Sequence, residues 1–362
     1  MNIVQIIPQL ASGGAERLVV DLSNELSKNN NVTLISFFAE DKYNFYNKEL
    51  FQSVKHIVIG KQPGFSLKMF FHLGKLLNSL RPDVVHLHLA AINYIVPYLL
   101  MNRATKCFMT IHNDAFEEAE GNTGLKIRNF CFKNNLIRPI TISKESKRSF
   151  IDCYKMDAPV ILNGRMMPSL LTVSDSVHCE FIKYRKTPKT KVLVNLARFS
   201  VVKRQPLIAK CVKRLYDEGF DFAFLMIGQT RAADVLAGVE EYKCPALHVL
   251  GEKHNPLEYL KLADAYCLFS THEGLPISLI EALATSTVPV CTPVGGIIDV
   301  VENGVNGLLS KDLSEDAVYN TMKEFLLLDE SSLSSLKDNA LKSFGKYSIE
   351  ETAKQYLSLF KS

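Results

Sequence analysis

Two periods alternate along this chain. Short, nearly continuous apolar runs at 3–7, 32–37, 56–59, 84–89, 107–111, 137–142 and 160–162 read as strands covered on both faces, which is the habit of a parallel sheet. Between the first two, residues 14–28 carry Leu18, Val19, Leu22 and Leu26 on one stripe, and 67–80 is a second amphipathic stretch, so helices are predicted to cross from strand to strand. After Leu162 the rhythm lapses. Asn-Gly-Arg-Met-Met-Pro leads into a polar stretch, 172–190, with no clear period, expected to be an interdomain linker. Strands at 192–197, 222–227, 247–250, 265–269 and 288–291 then resume, with helices near 205–218, 256–264, 278–285 and 297–302. The predicted class is therefore α/β, with doubly wound domains at 1–170 and 171–345. A last helix at 348–360 bears Ile349, Ala353, Tyr356 and Leu357 on one side.

Composition narrows the reading. The chain has 362 residues, 47% of them hydrophobic and 22% charged, enough for two cored globular domains. Its eight cysteines form no C-x-x-C pair and mostly fall inside apolar runs, which fits a reducing compartment without structural zinc. The first residues lack a basic flank, and no segment approaches about 18 uninterrupted apolar residues, so a cytoplasmic chain that is neither exported nor membrane-spanning is expected. The net charge of +4 is uneven: residues 1–165 hold 20 Lys/Arg against 14 Asp/Glu, leaving 22 against 24 for the rest. Within the basic half, 124–133 mixes cations with large apolar residues, and Arg138, Lys144, Lys147 and Arg148 follow. Such a segment suits an anionic membrane surface or a lipid pyrophosphate, and equally a solvated helix face whose inner side is core. It lacks a nucleic-acid recognition module, and no nucleic-acid partner is expected.

The chemistry concentrates where strands end. Residues 273–281, Glu-Gly-Leu-Pro-Ile-Ser-Leu-Ile-Glu, follow the apolar run 265–269 and open a predicted helix, so they belong at the carboxyl edge of a buried strand, where small ligands bind. Pro276 suits the first helical turn, and the amides of that turn can face an anion. Glu273 and Glu281 would flank it, which makes electrostatic sense if they accept from hydroxyls, as a nucleotide sugar would provide. Arg198 and Lys203, on the loop after 192–197, can neutralise a leaving diphosphate there. Gly228 and Gly251 end neighbouring strands and are candidates to frame a base or ribose, and Gly295-Gly296 either helps hold phosphate or only makes a turn. In the first half, Gly13-Gly14 opens the first long helix, where a backbone can approach an anion or simply turn tightly. His112 ends a strand at a loop with Asn113-Asp114, as a ligand contact or a satisfied core histidine. His86 and His88 share a strand face, but no third ligand at suitable spacing supports a metal.

Taken in order, Gly13-Gly14-Ala15-Glu16, His112, Ser143, Asn163-Gly164, Arg198 with Lys203, Gly228, Gly251, Glu273-Gly-Leu-Pro through Glu281-Ala282-Leu283, Gly295-Gly296 and Asn306-Gly307 resemble the GT4 family of retaining glycosyltransferases, over nearly the whole chain. The E-x7-E segment with Arg and Lys upstream is the specific part. The resemblance implies a GT-B fold, two facing Rossmann-like domains with a cleft between them, acceptor bound by the first and donor by the second, and a terminal helix, 346–362, crossing back to the first domain. It implies no metal and no cofactor other than a nucleotide diphosphate sugar, expected to be UDP-linked, as co-substrate. By the same resemblance, Glu281 would accept from the ribose and Glu273 from the hexose. The Gly274 and Leu275 amides, beside Pro276, would close on sugar and phosphate, Arg198 and Lys203 would steady the departing diphosphate, and His112 would touch the hexose. Gly13 and Gly14 would let the first loop approach phosphate and acceptor. Two places depart from the pattern: Lys203-Arg204 stands where many relatives have Lys-Gly, and Gly228-Gln229-Thr230 replaces a common Gly-x-Gly. The expected activity is transfer of a hexose or N-acetylhexosamine to a saccharide or lipid-linked saccharide in cell-surface polysaccharide synthesis, on the inner face of the cytoplasmic membrane, with possible peripheral contact through the basic half. A phosphorylase of similar architecture, or a non-catalytic nucleotide-sugar-binding scaffold, are the alternatives.

Overall fold

The structure is a computed structural model that describes residues 1–39, 45–62, 64–119, 121–167 and 171–362. The chain divides into two compact units, Met1–Met166 with Tyr347–Ser362, and Met167–Lys346. In the first, strands β1 (Asn2–Ile7), β2 (Asn31–Ser36), β3 (Val54–Val58), β4 (Val84–His88), β5 (Lys106–Ile111) and β6 (Arg138–Thr141) form one sheet in the order β3-β2-β1-β4-β5-β6, all pairs parallel. The second repeats the plan with β7 (Lys191–Leu196), β8 (Phe222–Ile227), β9 (Leu247–Gly251), β10 (Ala265–Leu268), β11 (Val288–Cys291) and β12 (Leu308–Leu309), ordered β12-β11-β10-β7-β8-β9. Each unit therefore starts in the middle of its sheet, builds outward to one side, then returns and builds to the other, the doubly wound plan.

The apolar runs became strands because helices cover both sheet faces. Leu18, Val19 and Leu22 on the helix Gly14–Ser27 are buried, as are Met69, Leu73 and Leu77 on Leu67–Leu80 and Ile208, Val212 and Leu215 on Gln205–Asp217. The terminal helix, Ile349–Lys361, is part of the first unit. Its Tyr356 hydroxyl meets Thr110 Oγ1 at 2.9 Å, Phe360 packs on Phe108, and the Lys106 ammonium donates to the last-turn carbonyls of Phe360 and Lys361 at 3.3 and 3.1 Å, where the helix dipole favours a cation.

Four expectations change. The run 160–162 contributes a single parallel bridge, Val160 to Thr141, and no strand. The polar stretch 172–190 holds the helix Asp175–Ile182, which buries Val177 and Phe181 and whose preceding Ser174 donates N–H and Oγ–H to Glu258, so it belongs to the second unit's packing. The helix expected near 297–302 is one 3-10 turn, Gly295–Asp299, because Gly295 is left-handed (φ +53°). The basic run 124–133 does form a helix, Asn122–Lys133, but Arg128 is not on a solvated cationic face: it is buried and bonded to the Glu118 carbonyl (2.7 Å) and carboxylate (3.4 Å). A buried guanidinium survives only when paired in this way. Pattern also gives no hint of the helices Glu315–Leu327 and Glu330–Phe344, capped by Ser314 and Asp329.

Two glycines at strand ends separate strain from crowding. Gly228 (φ +152°) lies so close to the Ala197 carbonyl that a Cβ would overlap it, whereas Gly251 (φ +69°) opens on free space. Gly228→Ala should therefore cost about 3 kcal/mol or more and Gly251→Ala about 1–2 kcal/mol, read from denaturant melts. Equal losses would mean that the 197 loop yields to the added methyl.

Candidate functional site

In the second unit the strand order puts β7 beside β10, and the segments leaving these two strands go opposite ways. This is the switch point at which doubly wound sheets open a crevice. Asn195 Nδ2 donates to the Cys267 carbonyl at 2.8 Å and so ties the two strands just below it. Above it, the Thr271 amide donates to the Val202 carbonyl at 2.9 Å, and Lys203 Nζ makes an ion pair with Glu273 Oε1. Ser270 Oγ donates to the same carboxylate oxygen. Lys203 and Glu273, 70 residues apart in sequence, are thus brought together by topology, and Glu273 is buried.

The Arg198 loop is pinned from behind. Gln205, at the start of the helix Gln205–Asp217, donates from Nε2 to the Arg198 carbonyl (3.1 Å) and accepts from the Ser200 amide (3.2 Å), while the Phe199 amide reaches the Gln229 carbonyl (2.9 Å). The backbone is fixed and the Arg198 side chain is exposed, with no ion pair among the described residues. Arg204, which stands where the sequence pattern prefers glycine, adopts the left-handed backbone a glycine would take (φ +56°) and sends its guanidinium to the Leu313 carbonyl at 2.7 Å. That strain costs about 1 kcal/mol, which the charged hydrogen bond can offset. The departure from Lys-Gly leaves the loop's conformation intact.

The Glu273 loop is held with equal care. Gly274 accepts from the Gly296 amide at 2.6 Å, and a Cβ on Gly295 would collide with the Glu273 carbonyl. Gly295-Gly296 is therefore the turn that lets one loop lie against the other. Leu275 is buried, and Pro276 sits one residue before the helix Ile277–Ala284 rather than in its first turn, extended at φ −64° and ψ 126°. Its carbonyl accepts from the Leu279 and Ile280 amides at 3.2 and 3.4 Å, so the helix N-terminus begins with Ile277 and Ser278. Glu281 follows one turn later, also buried. Near the two glutamates lies a hydroxyl pair that sequence reasoning missed: Tyr266 OH and Ser278 Oγ, 2.7 Å apart. Burial raises the Tyr266 pKa well above its ordinary value, Cys291 adds to the rise, and so do the Glu273 and Glu281 carboxylates, which places both within electrostatic reach of that hydroxyl. Ser270, three residues before Glu273, and Ser278, inside the E-x7-E segment, were legible as residues but not as partners. Gly228 and Gly251 end β8 and β9 on the same edge, joined by a Gly228 amide to Gly251 carbonyl bond of 2.9 Å.

In the first unit, β1 and β4 flank the equivalent switch point. Gly13 precedes the helix Gly14–Ser27 in extended backbone, and the buried Glu16 carboxylate lies over it, close enough to meet any added Cβ. His112 closes β5 and no hydrogen bond joins it to Gly13 or Gly14 among the described residues; instead it belongs to a buried row. Gln5 Oε1 accepts from His88 Nε2 (2.9 Å), so His88 Nδ1 is the acceptor for His112 Nε2–H (2.9 Å), which leaves Nδ1 as the acceptor nitrogen of His112. His86 Nε2 meets Thr110 Oγ1 at 2.8 Å, and Thr110 meets Tyr356. The His112 amide donates to Glu118 at 2.6 Å, which fixes the ring's root. His86 and His88 are therefore parts of a hydrogen-bonded core, and among the described residues no group of three or more His, Cys, Asp or Glu is placed to hold a metal.

Two family models match the chain in succession: Glycosyltransferase Family 4 over residues 12–165 and Glycosyl transferases group 1 over 179–343. The chain belongs to this glycosyltransferase family. The Escherichia coli O-antigen biosynthesis glycosyltransferase WbnH is 25% identical over 99% of this chain and 98% of its own. A Campylobacter jejuni alpha-1,4-N-acetyl-D-galactosaminyltransferase, named for a saccharide acceptor on PP-undecaprenol, is 24% identical over 99% and 98%. Among solved structures, Anabaena HepE in complex with UDP and glucose superposes with a TM-score of 0.83 over the whole of both chains at 18% identity, which establishes the GT-B fold class for this glycosyltransferase.

The histidine row makes a testable claim. Burial lowers the pKa of all three imidazoles, to about 3 for His112, with mutual repulsion among them adding to it for His86 and His88. Folded-state values below the unfolded value of about 6.5 mean that unfolding takes up protons in acid, so stability is full above about pH 6.5 and is lost as the pH falls toward 3. His86→Gln, which cannot charge, should show a shallower fall in melting temperature between about pH 6.5 and 4 than the parent. Parallel curves would mean that the row does not govern acid stability.

Proposed function

We propose that this glycosyltransferase moves a hexose or N-acetylhexosamine from a UDP-sugar to a lipid-linked saccharide, with retention at the transferred carbon and without a metal, in the synthesis of a surface polysaccharide. The observation that carries the reading is the meeting of Lys203 with Glu273 at the second unit's switch point, beside the exposed Arg198. A departing diphosphate needs positive charge as its negative charge develops, and a lysine held by its ion pair and an arginine carried on a pinned backbone supply it. Buried carboxylates at Glu273 and Glu281 suit hydroxyl donors, Glu273 for the hexose and Glu281 for the ribose, with the Gly274 and Leu275 backbone closing on sugar and phosphate and Gly228 and Gly251 shaping the base end. Donor binding is assigned to 171–345 and acceptor binding to 1–170 with the terminal helix. His112, neutral and with Nδ1 as its acceptor, would take a hydrogen bond from a sugar hydroxyl, and Gly13-Gly14 would line the acceptor side.

In the reaction the glycosidic bond to the diphosphate breaks as the acceptor hydroxyl bonds to the same face of the sugar carbon. The acceptor proton passes to the leaving phosphate oxygen, so the chain itself need supply no nucleophile. The choice of UDP draws support from HepE, whose structure holds UDP and glucose, and the lipid-linked acceptor from the Campylobacter jejuni relative and from WbnH, named for O-antigen biosynthesis.

Glu281→Gln and Lys203→Ala should each lower turnover at least about tenfold, roughly 1.4 kcal/mol of transition-state stabilisation, with the chain still folded, although Lys203→Ala lowers the melting temperature by leaving the buried Glu273 carboxylate without its ion pair. The donor is tested by melting the protein with UDP, GDP, ADP and TDP. At about a hundred times its dissociation constant the cognate nucleotide adds roughly 2.7 kcal/mol. A rise with UDP alone, absent in Glu281→Ala, is expected; no response to any of the four would remove the nucleotide-sugar assignment and favour a phosphorylase or scaffold.

A further inference from the structure

The helix Leu67–Leu80 turns only part of its surface inward. Met69, Leu73 and Leu77 face the core, while its outer side and the residue two places before it carry Phe65 (74% exposed), Leu67 (68%) and Phe71 (80%). Leu67 and Phe71 are one turn apart, and Lys68 and Lys75, also exposed, stand on the same outer side. The helix Val96–Met101 packs against it and adds Met101, 84% exposed. Large apolar side chains this open are ordinary singly, but a group of them on adjoining helices marks a surface that is covered in use.

The charge of the segment that carries them says by what. From residue 50 to residue 113 the chain has seven Lys/Arg and one acidic residue, Asp83. Asp83 lies just before β4, and its carboxylate accepts from the Asn2 amide at 2.7 Å. The excess of six positive charges equals that of the whole of residues 1–165, so this stretch is the source of the unit's basic character. Lysine is depleted from the cores of protein interfaces, whereas an apolar helix face edged by lysines and free of acids is what an anionic bilayer surface selects: the rings enter the acyl boundary and the ammonium groups reach the headgroups.

We infer that the outer face of the helix Leu67–Leu80, with Phe65 and Met101, is the surface by which this glycosyltransferase docks on an anionic lipid bilayer. It replaces the helix Asn122–Lys133 as the membrane-facing element, because Arg128 there is committed to Glu118. Topology gives the docking a purpose. β3 ends at Val58 on the sheet's carboxyl edge, and the helix starts nine residues later, so its Phe65–Leu67 end lies toward the edge that carries Gly13 and His112. That edge would then be held near the plane in which a lipid-linked acceptor resides. The purpose rests on the acceptor assigned above, but the surface itself does not.

The test is co-sedimentation with vesicles of phosphatidylcholine alone and with phosphatidylglycerol, in the absence of any substrate. Binding is expected only with phosphatidylglycerol and should fall as salt rises, since the Debye length shrinks from about 10 Å at 0.1 M to about 3 Å at 1 M. Lys68→Gln with Lys75→Gln should weaken it roughly 25-fold, at about fivefold per lysine, and Phe65→Ser with Phe71→Ser and Met101→Ser should abolish it. Lys126→Gln with Lys133→Gln should leave it unchanged. All these positions are exposed, and unaltered melting curves with an unaltered UDP response would show that fold and donor site are intact. No binding to phosphatidylglycerol vesicles, binding that survives the serine variant, dependence on Lys126 and Lys133, or a dimer in solution that the serine variant splits would each overturn the inference. Because vesicle binding is read without nucleotide, and nucleotide response without vesicles, either assignment can fail while the other stands.

Discussion

A parallel sheet that begins in its middle must turn back on itself, and that reversal determines where this protein can do chemistry. β7 and β10 are neighbours in space, and the segments that follow them diverge to different helices after the Thr271 amide and the Val202 carbonyl have tied them together above the strands. Side chains from distant parts of the sequence are delivered to the same few ångströms. The Lys203–Glu273 ion pair is the direct product. Its geometry depends on tight loop contacts behind it: Gly295 beneath the Glu273 carbonyl, Gly228 beneath Ala197, and Gln205 clasping the Arg198 segment from two sides. These glycines make close backbone approach possible and the charged residues exploit the position that results.

The two units treat polar groups in opposite ways at equivalent places. At the second switch point the groups are charged, and one of them, Arg198, is exposed. At the first, beside the Glu16 carboxylate over Gly13, stand three histidines whose protonation is suppressed by burial, linked through Gln5, Thr110 and Tyr356. A charged crevice suits a phosphate-bearing ligand. A neutral imidazole, its tautomer set by its neighbour, suits a hydroxyl and exerts no net pull on a nearby charge. The proposed division of labour between donor and acceptor has a physical counterpart in this difference.

The sequence was legible where local pattern and final environment agree. Strands buried on both faces are nearly all apolar, so eleven of the twelve among the described residues were found to within a few residues; the exception, Leu308–Leu309, is two residues long and too short to have a period. The strand-end position of the E-x7-E segment was equally plain, because a strand-to-helix junction has a local signature. What could not be read was any relation that depends on register between segments. Ser270 joins Lys203 on Glu273, and Tyr266 meets Ser278 near the glutamates, yet serine and tyrosine are too common for spacing to single them out. Arg128 misled for the same reason. On its own helix it reads as one more surface cation, and only its meeting with Glu118 shows that it is buried.

The terminal helix shows how these levels join. Residues 349–361 belong to the first unit although more than 180 residues separate them from the rest of it, and they contribute Tyr356 and Phe360 to the histidine row. The His86 ring packs against both, 5.0 Å from Tyr356 and 5.4 Å from Phe360, so the helix shields that imidazole from water. Desolvation is the leading cause of the lowered pKa values of all three imidazoles. The helix bears on the row at its His86 end through packing alone, while His112, the candidate contact residue, stands at the other end beside His88. Loosening Tyr356 or Phe360 would readmit to His86 the solvent that stabilises a charged ring, and a charge there would act on His112 by repulsion.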